Sequence, residues 1–325
     1  MPTLNEKQIR ALLTAAREQA EALYARSKAA GTGSHLPAST SPMAEAAAAF
    51  LDRSGVDRRQ LERDLAGLRK ENSRRLAQAK AEAMEHSPAH AKRLATVMQE
   101  RRAALEAIIA ASPPSGIQYV ALDSPVEIWT TDALEMTSSS IQPWNSWAKV
   151  DYKGQLYGGF PSALLAADGT ETLHFYFLWQ NTRAGYAVIT VDAFLVLNGY
   201  CSVHSGGGII DGGDAGLSLD AQQDLLQTWT GPISSPVAQS GQTQRALDLA
   251  VDSSGWFTDD QTATAIVYRG YDLRYEQAVV PPGQYLIIDA AVAFGYGYLD
   301  GEVDADFASA AFQISCPFVQ VAVLP

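Results

Sequence analysis

Four carboxylates recur at every second residue in Leu-Asp-Gly-Glu-Val-Asp-Ala-Asp-Phe: Asp300, Glu302, Asp304 and Asp306. In an extended segment that spacing throws all four to one side. In a loop they could wrap a hard cation with help from carbonyl oxygens, and Ca²⁺ is the ion such an all-oxygen set takes. The spacing is not that of an EF-hand, because the twelve-residue loop and its central glycine are missing. The competing reading is a solvated acidic turn that keeps a sheet edge soluble.

A second grouping offers recognition rather than catalysis. Gln142-Pro-Trp-Asn-Ser-Trp147 sets Trp144 and Trp147 in a polar, turn-like stretch, with Tyr152 and Tyr157 following. Flat aromatic faces beside amides and carboxylates suit a sugar or a protein surface. Buried tryptophans in a β core would look the same in sequence.

Other combinations are chemically poorer. Cys201 and His204 stand three apart, and His174 or Cys316 could join them around zinc, but there is no second close pair of ligands. His204-Ser-Gly-Gly-Gly208 lacks the Gly-x-Ser-x-Gly nucleophile elbow that an esterase needs. The glycine-rich run from Gly206 to Gly216 has no lysine, and Asp211 and Asp214 would repel a phosphate. Cys201 and Cys316 read as small buried hydrophobes, with a disulfide unforced in a domain of this size.

The elements that must position these groups fall into two modules. Residues 1–112 hold 18 of the 24 Lys+Arg, 13 of the 36 Asp+Glu and two aromatics, Tyr24 and Phe50. The rest of the chain holds 6 bases and 23 acids with 27 of the 29 aromatics, so a net +5 faces a net −17. Ser112-Pro-Pro-Ser-Gly116 marks the junction, with residues 113–117 as linker. The fold class expected is α+β: an α-helical hairpin or bundle over 1–112, then an all-β antiparallel sandwich over 118–325, with a jelly roll as first choice.

Ile9, Leu12, Leu13, Ala16, Ala20 and Leu23 form one helical stripe. Residues 29–42 read as a loop and a short Ala-rich helix runs to Arg53. A third helix covers Asp57 to Glu85, with Leu61, Leu65, Leu68, Asn72, Leu76 and Ala79 along its seam. Ser87-Pro88 then starts a fourth, ending at Pro113-Pro114. The seams are thin, so the helices should finish their core against another copy, the β module or a partner. The basic run from Arg58 to Arg75 is interleaved with Asp57, Glu62, Asp64 and Glu71, which reads as a solvated helix face rather than a nucleic-acid surface.

In the β module, Leu173, Phe175, Phe177 and Trp179 share one strand face, Asp168-Gly169 reads as a turn before that strand, and residues 181–185 as the turn after it. Further strands are expected near 118–122, 126–131, 148–152, 186–198, 264–269, 284–294 and 310–323, and short helical segments near Leu219–Trp229.

A net charge of −12 disfavours nonspecific nucleic-acid binding. No apolar stretch reaches the roughly 20 residues of a membrane helix, and no helix has the Trp- or Phe-rich face of a membrane-surface segment. The start of the chain has no secretory h-region, which makes the cytoplasm the default and leaves non-classical export open. The function expected is non-catalytic: helices for self-assembly or docking into a larger assembly, and a sandwich for a glycan or protein surface. The alternatives are a secreted toxin with membrane-active helices and a carboxylate-based hydrolase.

Overall fold

The computed structural model describes residues 6–31, 49–50, 52–55, 57–113, 115–156, 166–206, 213–229, 237–239, 242–253 and 261–325. Two helices, α1 (Glu6–Gly31) and α2 (Arg58–Ala111), precede the strands β1 (Gln118–Leu122), β2 (Glu127–Thr130), β3 (Glu135–Ser140), β4 (Trp147–Leu156), β5 (Ala166–Gln180), β6 (Ala187–Ser205), β7 (Asp214–Gln227), β8 (Val237–Gln239), β9 (Thr243–Asp252), β10 (Gln261–Val280), β11 (Tyr285–Leu299), β12 (Gly301–Asp306) and β13 (Gln313–Val323). The strands form two antiparallel sheets. Sheet A runs β1-β13-β4-β12-β6-β10 with β3 beside β4, and sheet B runs β2-β5-β11-β7-β8 with β9 beside β7.

Period-two burial makes the sandwich. Along β7, Ala215, Leu217, Leu219 and Ala221 are buried, while Gly216, Ser218, Asp220 and Gln222 face outward. The inward residues of β5 (Leu173, Phe175, Phe177), β6 (Val191, Leu195, Leu197) and β11 (Ile288, Val292, Phe294) fill the same core. Residues 219–227, expected to include helix, are therefore strand; alternation lets β7 pair with β11 and β9 at once. Asp168-Gly169 is not a turn either. Gly169 sits within β5 opposite Tyr296, and a Cβ there would come within 2.6 Å of the tyrosine hydroxyl. The glycine serves a close approach, not a reversal of the chain.

β12 and β13 lie end to end against β6, as one strand interrupted at Phe307–Phe312. Phe307 covers Gly199, where a Cβ would meet its ring at 2.4 Å. Lys149 Nζ donates to the carbonyls of Ala308 and Ala310, and Asp306 Oδ1 accepts from the amides of Ala308 and Ser309.

The helical part differs from the expected hairpin or bundle. The helices expected on either side of Ser87-Pro88 are one helix of 54 residues, roughly 80 Å long. Pro88 brings no amide to the Met84 carbonyl. Ser87 Oγ supplies the missing donor at 2.8 Å and also accepts from the Ala311 amide at 3.2 Å. The same serine thus keeps the helix continuous and pins it to the β12–β13 interruption. Asp57 caps the start, its carboxylate accepting from the amides of Arg59 and Gln60. The short helix expected before Arg53 lies largely outside the described residues.

Each helix completes its core on a different sheet. Leu12, Leu13 and Ala16 of α1 pack against Trp129, Tyr176, Leu226 and Ile287 on the outer face of sheet B. Leu94 and Leu105 of α2 pack against Phe194, Val196 and Phe318 of sheet A, and Ala83 against Tyr200 and Phe312. Charge follows the same contacts. Arg101 makes a bidentate pair with Asp272, Lys80 meets Asp304 and Asp306, and Arg69 lies 3.7 Å from Asp300. The basic helix and the acidic sandwich are complementary parts of one chain.

Candidate functional site

On β12, Val303 and Ala305 enter the core while Glu302, Asp304 and Asp306 alternate outward under α2. Asp300 sits just before the strand in the left-handed region, φ 49°. Lys80 Nζ lies 2.9 Å from Asp304 and 2.8 Å from Asp306. Burial opposes the Lys80 charge, yet the hydrogen bonds with Asp306 and Asp304 hold its ammonium above the usual lysine range. Burial raises the Asp304 carboxyl; at Asp306 burial is outweighed by Lys80 and the Ser309 and Ala308 amides, which hold it low. Lys80 thus supplies the positive charge that the sequence reading assigns to Ca²⁺. Among the described residues no group of three or more His, Cys, Asp or Glu side chains is placed to hold a metal ion.

The aromatic set does not gather into one platform. Trp144, in a turn at φ 62°, is half-buried against Phe318, with the Arg102 guanidinium of α2 4.8 Å from its ring. Trp147 is half-buried on the outer face of β4. Tyr152, five residues on, falls on the opposite face, buried and stacked on Tyr296 at 4.4 Å. An odd spacing in a strand separates the two faces. Tyr157 lies outside the described residues. The odd spacing of Cys201 and His204 likewise splits them: Cys201 is in the core between the sheets and His174 is on the other sheet. Both cysteines are free and buried.

The arrangement with the means to hold a ligand is one the sequence reading passed over, on the outer face of sheet B. The central strand β11 presents Asp289, Ala291, Ala293, Gly295 and Gly297 outward in succession. On one side stand Thr170, Thr172 and His174 of β5; on the other stand Ser218, Asp220 and Gln222 of β7. The small residues Ala291 and Ala293 are buried between the two polar rows, and the column opens to the surface at Gly295 and Gly297. Its glycine end opens into two adjoining clefts of about 430 Å³ and about 700 Å³, which share Asp168, Gly216, Ala250 and Gly297. A Cβ built on Gly297 would find only Asp168 Cβ, at 4.0 Å, so this glycine leaves open space.

The walls carry Asp168, Asp214, Asp248 and Asp252 against one base, Arg245. Arg245 is held by Asp220 at 2.7 Å and by Asp248 at 3.6 Å. The lining is acidic and rich in acceptors and hydroxyls.

At its other end the column of β11 runs under α1. His174 Nδ1 lies 2.8 Å from Asp289 Oδ2, and the imidazole stacks on Trp129 at 4.4 Å with planes 8° apart. A carboxylate only accepts, so this contact puts a proton on Nδ1. Tyr176 is fully buried beside them; burial first, and then the Asp289 charge, hold its phenol above the usual tyrosine range as a neutral O–H. The signal for this site was the i, i+2 run of small residues from Ala291 to Gly297, which in sequence reads only as part of an apolar strand.

No family model matches the chain, and no curated protein matches it. Solved structures with some likeness include an isomalto-dextranase of Arthrobacter globiformis T6 complexed with panose. That match has 11% identity over 58% of this chain and 24% of that one, with a TM-score of 0.17. The carbohydrate-binding module TmCBM61 in complex with beta-1,4-galactotriose matches at 11% identity over 55% and 86%, TM-score 0.13. A structure of infectious bursal disease virus, Gt strain, matches at 13% identity over 66% and 58%, TM-score 0.11. The chain spans about a quarter of the first of these. Likeness at such TM-scores carries no argument about fold or activity.

Proposed function

We propose that this is a non-catalytic recognition protein whose sandwich binds a linear, uncharged glycan in the clefts at the Gly295–Gly297 end of β11. The observation that carries this reading is the opening at Gly295 and Gly297 of β11, lined by Thr170 and Ser218 hydroxyls and by Asp168, Asp214, Asp248 and Asp252 carboxylates. Sugar hydroxyls both donate and accept, and so match a wall of carboxylates, Thr and Ser hydroxyls and the Gln222 amide. The surplus of carboxylates over Arg245 works against uronic acids, sialic acids and phosphates. Two adjoining clefts at the Gly295–Gly297 end leave room for more than one sugar unit. The jelly-roll reading is supported by the way the chain alternates between sheets, giving β4, β12/β13, β6, β10 on one side and β5, β11, β7, β9 on the other.

The helices, in this reading, serve docking, and each has a sheet of its own chain beneath it. A glycan array spanning neutral, amino and anionic oligosaccharides tests the proposal. Retention of neutral linear glycans, lost on filling the cleft at Gly297, is the result expected. Retention of anionic glycans only, or of none, removes it.

A further inference from the structure

On the outer face of sheet A, α2 covers the strands unevenly. Leu94 and Leu105 are buried against Phe194, Val196 and Phe318, but Ile108, three residues beyond Leu105, is 43% exposed. A cleft of about 470 Å³ lies there, in the range of small-molecule sites, roughly 300–1,000 Å³. Ala104, Leu105 and Ile108 form its helical wall, and Asp192 and Phe194 of β6 and Phe318 of β13 lie opposite. Its rim on β10 is fixed by side chains from the neighbouring sheet: Gln244 Nε2 donates to the Asp272 carbonyl, and Gln242 Oε1 accepts from the Arg274 amide.

The charges around this cleft are unevenly matched. Asp192, Asp272 and Glu276 bring three carboxylates to two guanidiniums, Arg101 and Arg274. Arg101 takes Asp272 with both terminal nitrogens, at 2.7 and 2.5 Å, and Arg274 Nε lies 2.9 Å from Glu276. Asp192 is left with long contacts, Arg274 Nε at 3.7 Å and the Gln320 amide at 3.5 Å. A charge-assisted bond to a carboxylate spans about 2.7–2.9 Å. The Asp192 side chain is only 29% exposed, and burial pushes its carboxyl above the usual aspartate range, Arg274 opposing the rise and Asp272 and Glu276 adding to it. A part-buried carboxylate without a close donor, set beside an apolar wall, is the complement of an ammonium on a hydrocarbon or aromatic body. Phe194 already receives a cation, the Arg101 guanidinium lying 4.9 Å from its ring centroid. The surplus carboxylate works against an anion. We propose that this cleft binds a small primary amine with an apolar body, its ammonium on Asp192 and its body against Ala104, Leu105 and Ile108. The cleft is on the other sheet from the clefts at Gly297, and the proposal stands apart from the glycan reading.

The experiment is calorimetric titration of the full chain at neutral pH with four probes: phenethylamine, hexylamine, 2-phenylethanol and phenylacetate. The first and third share a body and differ in the charged group, and the fourth reverses the charge. Wild type is expected to bind phenethylamine about tenfold more tightly than 2-phenylethanol, the discrimination that one hydrogen bond to a charged group supplies. Hexylamine should bind as well, and phenylacetate least. Asp192→Asn is expected to bring phenethylamine down to the level of the alcohol while leaving the alcohol unchanged. Ala104→Leu, at an exposed helix position, narrows the cleft and is expected to weaken amine and alcohol alike. It keeps the test open where Asp192→Asn fails to fold. No binding of either amine to wild type at millimolar concentration overturns the proposal. So does equal affinity of wild type for phenethylamine and 2-phenylethanol, or amine affinity unchanged in Asp192→Asn or in Ala104→Leu.

Discussion

Gly297→Val separates the glycan reading from a merely structural account of the glycine-rich end of β11. Gly297 lies inside a strand, pairs with Asp168 and Gly216, and its Cβ would meet nothing closer than 4.0 Å. The backbone does not ask for glycine there, since φ is not positive. Glycine within a strand costs about 0.5–1 kcal/mol through chain entropy, and valine is among the residues that strands favour. The variant should therefore gain up to ~1 kcal/mol, or roughly 2–4 °C in melting temperature for a sandwich of this size. The two added methyls stand in the cleft shared with Gly216 and Ala250, where a ligand would lie. Binding should weaken at least tenfold, about 1.4 kcal/mol. The assays are differential scanning calorimetry and titration of the neutral glycan selected on the array, with Gly185→Ala as a control at a turn where a Cβ has nothing within 4 Å. Unchanged affinity would refute the placement of the site. Loss of binding together with a lower melting temperature would refute the geometry, because the glycine would then be structural.

Ser87→Ala should cost about 1–3 kcal/mol in chemical denaturation, since it orphans the Met84 carbonyl and the Ala311 amide. In a Pro88→Ala background, where an amide returns to the Met84 carbonyl, the same change should cost about half as much; equal costs would refute the account of the continuous helix. Lys80→Met should destabilise by roughly 1–3 kcal/mol, less than a fully dry pair because Lys80 keeps 19% exposure. The lowered Asp306 contributes stability above the ordinary aspartate value of 3.8 that is lost as pH falls through its depressed value, with the raised Asp304 partly offsetting it. The raised Lys80 contributes below the ordinary 10.5 and is lost as pH climbs past that. The difference between wild type and Lys80→Met should then be flat from about pH 5 to 9 and shrink at both ends; a maximum at either extreme contradicts the triad. Cys201 and Cys316, whose thiols burial holds above the usual range, should stay unreactive to an aromatic disulfide reagent until the protein unfolds, and prompt labelling would contradict their placement.

The α1 stripe and most strands were legible in the sequence, because periodicity is a local property. Period-two alternation placed β5, β6, β10, β11 and β13, and the stripe from Ile9 through Ala16 marked the face that α1 buries. Local signals failed where a distant neighbour set the outcome. Ser87-Pro88 has the look of a helix start, and only the Ala311 amide and the freed Met84 carbonyl make it a seam within one helix. Asp168-Gly169 has the look of a hairpin turn, and only Tyr296 across the sheet explains its glycine. The alternating carboxylates from Asp300 to Asp306 invite a cation, but Lys80, more than 200 residues away, reaches two of them first. Trp144 and Tyr152 looked like a binding surface, and one went under α2 while the other went into the core. The clefts were invisible for the same reason. Gly295 and Gly297 supply only their floor; their walls come from β5 and β7, about 70 to 130 residues earlier, and strand pairing alone brings them alongside. Sequence determined which side chains alternate and which helices are amphipathic, since those depend on neighbours a few residues away. Tertiary structure decided which charges meet, which aromatics are covered and where a ligand can lie, since each depends on contacts between segments far apart in the chain.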